Sequence, residues 1–206
     1  RQIKMSPATK LFYVEVKKPD IKTPSGDCER LIEALTKQWN IHNISICLAV
    51  IQSIQTKLRD GEWALTCAIF KNEKTNQHEV IEIWPGYFDQ VIYGIALDLG
   101  STTIAVHLCD LRTGKVINSS GIMNPQIKFG EDLMSRVSYA MMNDNGAKQM
   151  AISVRKGIDD LIDSVCKDSK ATKAHILEMV IVGNPIMHHI LLGVDPTELG
   201  QAPFAL

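Results

Sequence analysis

Residues 94 to 110 read Gly-Ile-Ala-Leu-Asp-Leu-Gly-Ser-Thr-Thr-Ile-Ala-Val-His-Leu-Cys-Asp. An apolar run, a turn of Asp, Gly, Ser and Thr, and a second, alternating run predict two antiparallel strands joined by a tight hairpin. Small and hydroxyl-bearing residues let the backbone N–H groups of such a turn converge on an anion, and a neighbouring carboxylate can hold the magnesium ion of a nucleotide. The stretch therefore predicts a phosphate-binding hairpin.

The residues of the turn have two predicted roles. Asp98 would hold magnesium, through a water molecule, and Gly100, Ser101, Thr102 and Thr103 would bind the phosphates. The same residue types also form ordinary hairpin turns, which favour Asp, Gly and Ser. Because short motifs often match by chance, the hairpin alone leaves both interpretations open.

The sequence after the hairpin predicts the rest of a mixed α/β unit. Arg112 to Lys115 form a turn signal, and Val116 to Met123 form a third strand candidate. Leu177 to Val182 predict a buried strand, and Gly183-Asn184-Pro185 leads into a helix with Pro at its first position. Between these strands, apolar residues at helical spacing indicate two helices, marked by Leu133, Val137 and Met141 and by Val154, Ile158, Leu161, Ile162 and Val165. The predicted order is strand, strand, strand, helix, helix, strand, helix.

This order and the hairpin resemble the N-terminal lobe of the actin, sugar-kinase and heat-shock ATPase superfamily. Within it, the chain resembles the reductive activators of corrinoid proteins, in which a [2Fe–2S] ferredoxin domain, a linker, a small middle domain and an ATPase domain lie on one chain. Residues 1 to 90 resemble that family's linker and middle domain more loosely. The motifs that carry the resemblance are Tyr93-Gly-Ile-Ala-Leu-Asp-Leu-Gly-Ser-Thr-Thr103, Met123-Asn-Pro-Gln126, Gly130-Glu-Asp132 with Ser135-Arg136, Val182-Gly-Asn-Pro-Ile-Met-His-His189, and Leu191-Leu-Gly-Val-Asp-Pro196.

The resemblance implies an ATP-dependent activator that returns the cobalt of a corrinoid protein from Co(II) to Co(I) for methyl transfer. It implies ATP and Mg²⁺ as cofactors, a [2Fe–2S] cluster elsewhere in the full-length protein, and a corrinoid protein as partner. The implied fold is a small α/β middle domain followed by a ribonuclease-H-like lobe, a mixed sheet with flanking helices. Gly183 and Asn184 then join the hairpin residues as nucleotide-contacting positions, and Asn184 is also placed to cap the helix that starts at Pro185.

We divide the chain into a linker over 1–21, a small α/β middle domain over 22–90 and an incomplete N-terminal ATPase lobe over 91–206. The chain begins at Arg1 and ends without a second phosphate loop or second lobe, so we expect a fragment that binds ATP weakly or not at all by itself. The middle domain shows no catalytic constellation and is a candidate for self-association as a homodimer or for partner docking.

Local patterns predict the elements of the first 90 residues. The first helix starts near Ser25, with Ser25 or Asp27 as its cap and an apolar face that includes Leu31 and Trp39. A second helix is predicted from Ser45 to Leu58. The predicted strands are Leu11–Val16, Trp63–Phe70 and Glu79–Trp84.

Cysteine usage and charge limit the classes of function. A ferredoxin cluster needs closely spaced cysteines, whereas Cys28, Cys47, Cys67, Cys109 and Cys166 are isolated, so we predict no cluster or zinc site in this chain. The odd count, with no signal peptide and no apolar run long enough to span a membrane, favours the reducing cytoplasm and no membrane partner. The net charge of −1 gives no electrostatic reason to expect nucleic acid.

Several alternatives stay open. A small-molecule kinase shares this type of lobe, but its acceptor pocket and acidic base are not identifiable here. A non-catalytic dimerisation or docking module would carry the fold incidentally. Adjacent His188 and His189 point about 100° apart on a helix, which disfavours a shared metal. Glu131, Asp132 and Arg136 lie at a predicted helix start, where a structural role is expected before a role near the phosphates.

Overall fold

The computed structural model describes residues 6–22 and 24–202. The chain divides into two compact units between Val91 and Ile92. Each unit contains a four-stranded sheet of its own. Within the described ranges, no helix is both long enough and apolar enough to cross a membrane.

In the first unit, two helices pack against a mixed sheet. Its elements are β1 (Thr9–Glu15), α1 (Asp27–Trp39), β2 (Ile44–Ile46), α2 (Leu48–Asp60), β3 (Ala64–Asn72) and β4 (Gln77–Pro85). The strands lie in the order β1-β3-β4-β2, with β2 parallel to β4 and the other pairs antiparallel. Buried Leu31, Leu35 and Ile54 of the helices meet Leu65 and Ile83 of the sheet in one core.

Two local predictions for this unit are wrong. The N-cap of α1 is Gly26, which has extended backbone and no side-chain cap bond, so neither Ser25 nor Asp27 is the cap. The first residues of the predicted second helix instead form β2, which pairs with His78–Val80 of β4. That distant pairing overrides the local helical pattern, and α2 begins only at Leu48.

The second unit has the predicted order of strands and helices. Its elements are β5 (Tyr93–Leu99), β6 (Thr103–Asp110), β7 (Val116–Met123), α3 (Leu133–Met142), α4 (Gly146–Ser169), β8 (Ile176–Gly183) and α5 (Pro185–Leu192), with short 3₁₀ turns at Pro125–Phe129, Lys173–His175 and Thr197–Gly200. The strands lie in the order β7-β6-β5-β8, with β5 and β8 parallel and the other pairs antiparallel.

Strand β5 has one apolar and one open face. Ile95, Leu97 and Leu99 are buried in a core shared with α4, whereas Ala96 and Asp98 are exposed. Because side chains alternate along a strand, the same pattern that fixes the core directs the Asp98 carboxylate away from α4. The open face is therefore where the predicted site residue lies.

Candidate phosphate-binding site

The predicted site residues lie at one edge of the second sheet. In the parallel pairing of β5 and β8, Asp98 is in register with Val182, and Leu99 is in register with Gly183. Parallel neighbours present their carboxyl ends at the same edge of a sheet. The structure thus brings the turn after β5 and the Gly183–Asn184 segment after β8 to the same edge.

Three consecutive carbonyl oxygens of the turn are held from inside the protein. The Asn124 side-chain amide donates to the Gly100 oxygen at 2.8 Å, and the Asn124 backbone N–H donates to the Thr102 oxygen at 2.7 Å. Between them, Nη2 of Arg136 donates to the Ser101 oxygen at 2.6 Å. Asn124 and Arg136 are both buried, with exposed fractions of 1% and 0%.

These bonds set the direction of the turn's N–H groups. A trans peptide unit carries its C=O and the following N–H on opposite sides. The inward oxygens of Gly100 and Ser101 therefore direct the N–H groups of Ser101 and Thr102 outward. Neither N–H has an acceptor among the residues that the structure describes, which leaves two adjacent donors available for an anion.

Two glycines of the site lie close to neighbouring atoms. A Cβ on Gly100 would lie 2.5 Å from the Thr103 carbonyl oxygen. A Cβ on Gly183 would lie 3.0 Å from the Leu99 oxygen and 3.2 Å from the His188 ring. Close approach of the backbone thus requires glycine at position 100, whereas a side chain at position 183 would require its neighbours to shift slightly.

Asn184 caps α5, as predicted. Its side-chain oxygen accepts a 3.0 Å hydrogen bond from the backbone N–H of Met187, and Pro185 occupies the first helical position. The Asn184 oxygen is thus already engaged with the helix, while its contact with a nucleotide stays a prediction.

Asp98 presents an exposed, uncommitted carboxylate. It forms no hydrogen bond or ion pair with any residue in the described ranges, and no group of three or more metal-ligating side chains occurs there. Magnesium commonly keeps several waters and takes one or two carboxylates together with substrate phosphates. A single free carboxylate beside outward N–H groups fits that requirement.

Arg136 connects the turn to two other segments. Its Nε donates to the Gly130 oxygen at 3.0 Å, and Nη1 donates to the Met187 sulfur at 3.3 Å. Burial lowers the pKa of Arg136, while nearby Asp132 partly opposes that shift. Asp132 caps α3 by accepting a 2.7 Å bond from the Ser135 N–H, which lowers the pKa of this carboxyl.

Sequence reasoning missed the contribution of Asn124. The local signal was available, since Asn before Pro is typical of a helix start, and Asn124 does cap the 3₁₀ turn by accepting from the Gln126 N–H. Its second role, fixing the Gly100 and Thr102 carbonyls, depends on residues more than 20 positions away.

The two adjacent histidines have different surroundings. His189 Nδ1 lies 2.9 Å from the Pro185 oxygen. His188 Nε2 is buried and has no hydrogen-bond partner in the described part of the chain, and its ring packs beside Gly183. The two rings therefore contact different groups.

Comparison with known proteins identifies relatives of both units. The family model of the RACo linker region matches residues 1–90, and the model of the RACo middle region matches residues 93–206. The residues that we assigned to a linker and a small middle domain thus lie within the linker model, and the lobe at 91–206 lies almost wholly within the middle model.

Three known proteins each match more than half of this chain. The corrinoid activation enzyme RamQ of Eubacterium limosum is 34% identical over 116 residues, which is 56% of this chain and 20% of that protein. A solved structure of a reductive activator for corrinoid, iron-sulfur protein matches all of this chain and 32% of that chain, with a TM-score of 0.85 and 29% identity. The archaeal actin homologue Ta0583 matches 84% of this chain and 67% of that one, at a TM-score of 0.36 and 12% identity.

The chain thus spans about a third or less of the length of the two corrinoid-related proteins. The match to the solved activator confirms the predicted fold class, a small α/β domain followed by a lobe with a mixed sheet and flanking helices. The sheet of the first unit is mixed as well.

Proposed function

This chain belongs to the RACo family, and from that membership we propose that it forms part of an ATP-dependent activator of a corrinoid protein. The activator adds one electron to the partner's cobalt and so converts Co(II) to Co(I), the state that accepts a methyl group. The activity is that of a longer protein, because this chain spans only part of its relatives. This chain is proposed to provide the part of the nucleotide site that binds the phosphates.

In this proposal the turn binds the phosphates of ATP. The outward N–H groups of Ser101 and Thr102 donate to phosphate oxygens, and the Thr102 and Thr103 hydroxyls are available as further donors. Gly183 and Asn184 approach the same ligand from β8. The inward bonds to Asn124 and Arg136 keep the turn in this arrangement before the nucleotide arrives.

Asp98 provides the proposed magnesium position. An Mg²⁺ ion held there would neutralise part of the phosphate charge. Asp98, at the end of β5, would hold the ion through a water molecule.

ATP can assist an unfavourable electron transfer only through a conformational change. Co(I) forms at a very low potential, so a ferredoxin-like donor faces an uphill step. A ligand shifts an equilibrium only by the difference in its affinity for two states. Closure of the lobes around Mg-ATP is the proposed two-state element, and the turn and β8–α5 segment supply its phosphate contacts on this side.

The electron donor is proposed to lie outside these residues, in a [2Fe–2S] segment. The cysteines of this chain do not fit such a cluster, because they are isolated in sequence and Cys67 is buried, with its pKa raised by burial to about 12. Residues 22–90 remain the proposed region for self-association or partner docking. The cytoplasm is the proposed compartment.

The observation that carries the proposal is the turn itself, with three carbonyls fixed inward beside an uncommitted Asp98. The test uses the full-length protein under anaerobic conditions, with a Co(II) corrinoid protein and a low-potential reductant. Cobalt absorbance is followed with and without Mg-ATP. ATP-dependent formation of Co(I) is expected for the wild type and is expected to be lost in Asp98→Ala.

Asp168→Ala is the matched control, because Asp168 is also an exposed carboxylate of the second unit that forms no hydrogen bond or ion pair with any described residue. It should behave as the wild type. ATP turnover without cobalt reduction would favour a small-molecule kinase. Absence of both nucleotide binding and turnover would favour a non-catalytic module.

A further inference from the structure

Arg136 carries a charge in the interior of the second unit. It is the largest of the fully buried side chains, with an exposed fraction of 0%. Within the described ranges no carboxylate lies within 4.0 Å of its guanidinium. A buried charge without a paired opposite charge is costly and seldom retained unless its surroundings compensate it.

The compensation comes from three segments that are distant in sequence. The guanidinium donates to the Ser101 oxygen in the turn, to the Gly130 oxygen before α3, and to the Met187 sulfur in the first turn of α5. A planar guanidinium can serve several acceptors in fixed directions, which an ammonium group cannot. Arg136 therefore contacts the hairpin turn and the helix that follows Gly183–Asn184.

The contact with Ser101 also acts on the outward side of the turn. The Ser101 C=O and the Thr102 N–H belong to one peptide unit. A charged donor on the oxygen polarises that unit and strengthens the N–H as a donor. A positive charge directly behind the turn also favours an anion in front of it, and the low interior dielectric increases this attraction.

We propose that Arg136 is a positioning residue of the phosphate site: it fixes the Ser101 carbonyl, ties the turn to α5, and favours a polyphosphate anion by its buried charge. This inference rests on the proposed nucleotide function of the site. Arg136 would therefore strengthen binding of the ATP phosphates and have no effect on binding of the adenosine part.

The test measures two affinities in the full-length protein, one for Mg-ATP and one for adenosine. Arg136→Lys retains the charge but loses the simultaneous hydrogen bonds to Ser101, Gly130 and Met187. It should weaken Mg-ATP binding by about 10-fold. Arg136→Met also removes the charge and should weaken it by about 50-fold or more. Adenosine affinity should change by less than about 2-fold in both variants, since no charge or hydrogen bond to phosphate is involved.

Met187→Leu tests the link to α5 without removing the buried charge. It deletes the sulfur acceptor and should weaken Mg-ATP by about 3-fold, because an unsatisfied charged donor is costly but leucine nearly preserves the volume. Met150→Leu is the matched control, since Met150 is also fully buried, but its sulfur accepts no hydrogen bond from Arg136. Met150→Leu should leave Mg-ATP affinity unchanged. Circular dichroism tests whether each variant is folded. If Arg136→Met does not fold, the affinities of Arg136→Lys and Met187→Leu for Mg-ATP test the inference without it.

The outcomes separate this inference from the function on which it rests. A wild type that does not bind Mg-ATP contradicts the proposed function. A wild type that binds Mg-ATP, with Arg136→Lys binding it equally well, contradicts the inference alone. Parallel loss of Mg-ATP and adenosine affinity in folded variants also overturns it, because Arg136 would then support the fold in general. If Met187→Leu and Met150→Leu change Mg-ATP affinity equally, the contact between Arg136 and α5 does not contribute to phosphate binding.

Discussion

The side-chain amide of Asn124 donates a 2.8 Å hydrogen bond to the carbonyl oxygen of Gly100, 24 residues earlier in the chain. The same residue donates its backbone N–H to Thr102 and caps the 3₁₀ turn at Pro125–Phe129. One buried side chain thus joins the end of β7 to the turn after β5. The shape of the turn at Gly100–Thr102 therefore depends on Asn124 as well as on the residues of the turn itself.

Replacing Asn124 should therefore destabilise the second unit. Asn124→Ala leaves the Gly100 oxygen and the Gln126 N–H without their partners, and each unsatisfied buried group costs about 1–3 kcal/mol. We expect a loss of about 2–4 kcal/mol in the free energy of unfolding, measured by urea denaturation with far-UV circular dichroism. Asn143→Ala is the control, because the Asn143 side chain is exposed and bonds only within its own helix end. A loss no larger than that of the control would contradict the prediction.

Gly100→Ala should reduce nucleotide binding. The new Cβ would lie 2.5 Å from the Thr103 carbonyl oxygen, and that atom is backbone, so the turn has to move. We expect Mg-ATP affinity of the full-length protein to fall by at least about 10-fold, a displacement effect comparable to overpacking a core. Isothermal titration calorimetry measures it. Gly26→Ala is the control, since its Cβ would meet only the flexible Glu29 carboxylate; equal affinities for the two variants would refute the effect.

The regular elements of the second unit could be predicted because their signals are local. The apolar alternation and turn residues of β5 and β6, and the ends of β7 at Val116 and Met123, follow from neighbouring residues. The caps at Asn184 and Asp132 are local for the same reason.

The features that could not be predicted depend on contacts between residues far apart in the sequence, which a single sequence does not reveal. Strand β2 occupies residues with a helical pattern because it pairs with β4, more than 30 positions later. Arg136 reaches Ser101 over 35 positions and Met187 over 51. A mixed pattern of polar and apolar residues predicts that Arg136 lies on a helix, but not that its charge is buried behind the turn.

The Asp132 cap predicts a specific pH dependence. The pKa of Asp132 is lowered in the folded state by the Ser135 hydrogen bonds, so its contribution to stability is complete above the unfolded pKa of about 3.9 and declines as pH falls through the folded pKa. Asp132→Asn retains a cap oxygen without the charge. The wild type should exceed this variant in urea midpoint at pH 6, and the difference should shrink towards pH 3. A difference that stays constant over this range would show that the charge of Asp132 is not involved.

The division of the chain after Val91 predicts that the two units unfold separately. Trp39, Trp63 and Trp84 all lie in the first unit, so tryptophan fluorescence reports its unfolding, whereas far-UV circular dichroism reports both units. Leu31→Ala, at a fully buried core position of α1, should lower the free energy of unfolding by about 2–5 kcal/mol and shift the fluorescence midpoint. Leu161→Ala, in the core of the second unit, should shift only the circular dichroism. If Leu161→Ala moves the fluorescence midpoint as far as Leu31→Ala does, the two cores unfold as one cooperative unit, and the boundary near residue 91 has no thermodynamic meaning.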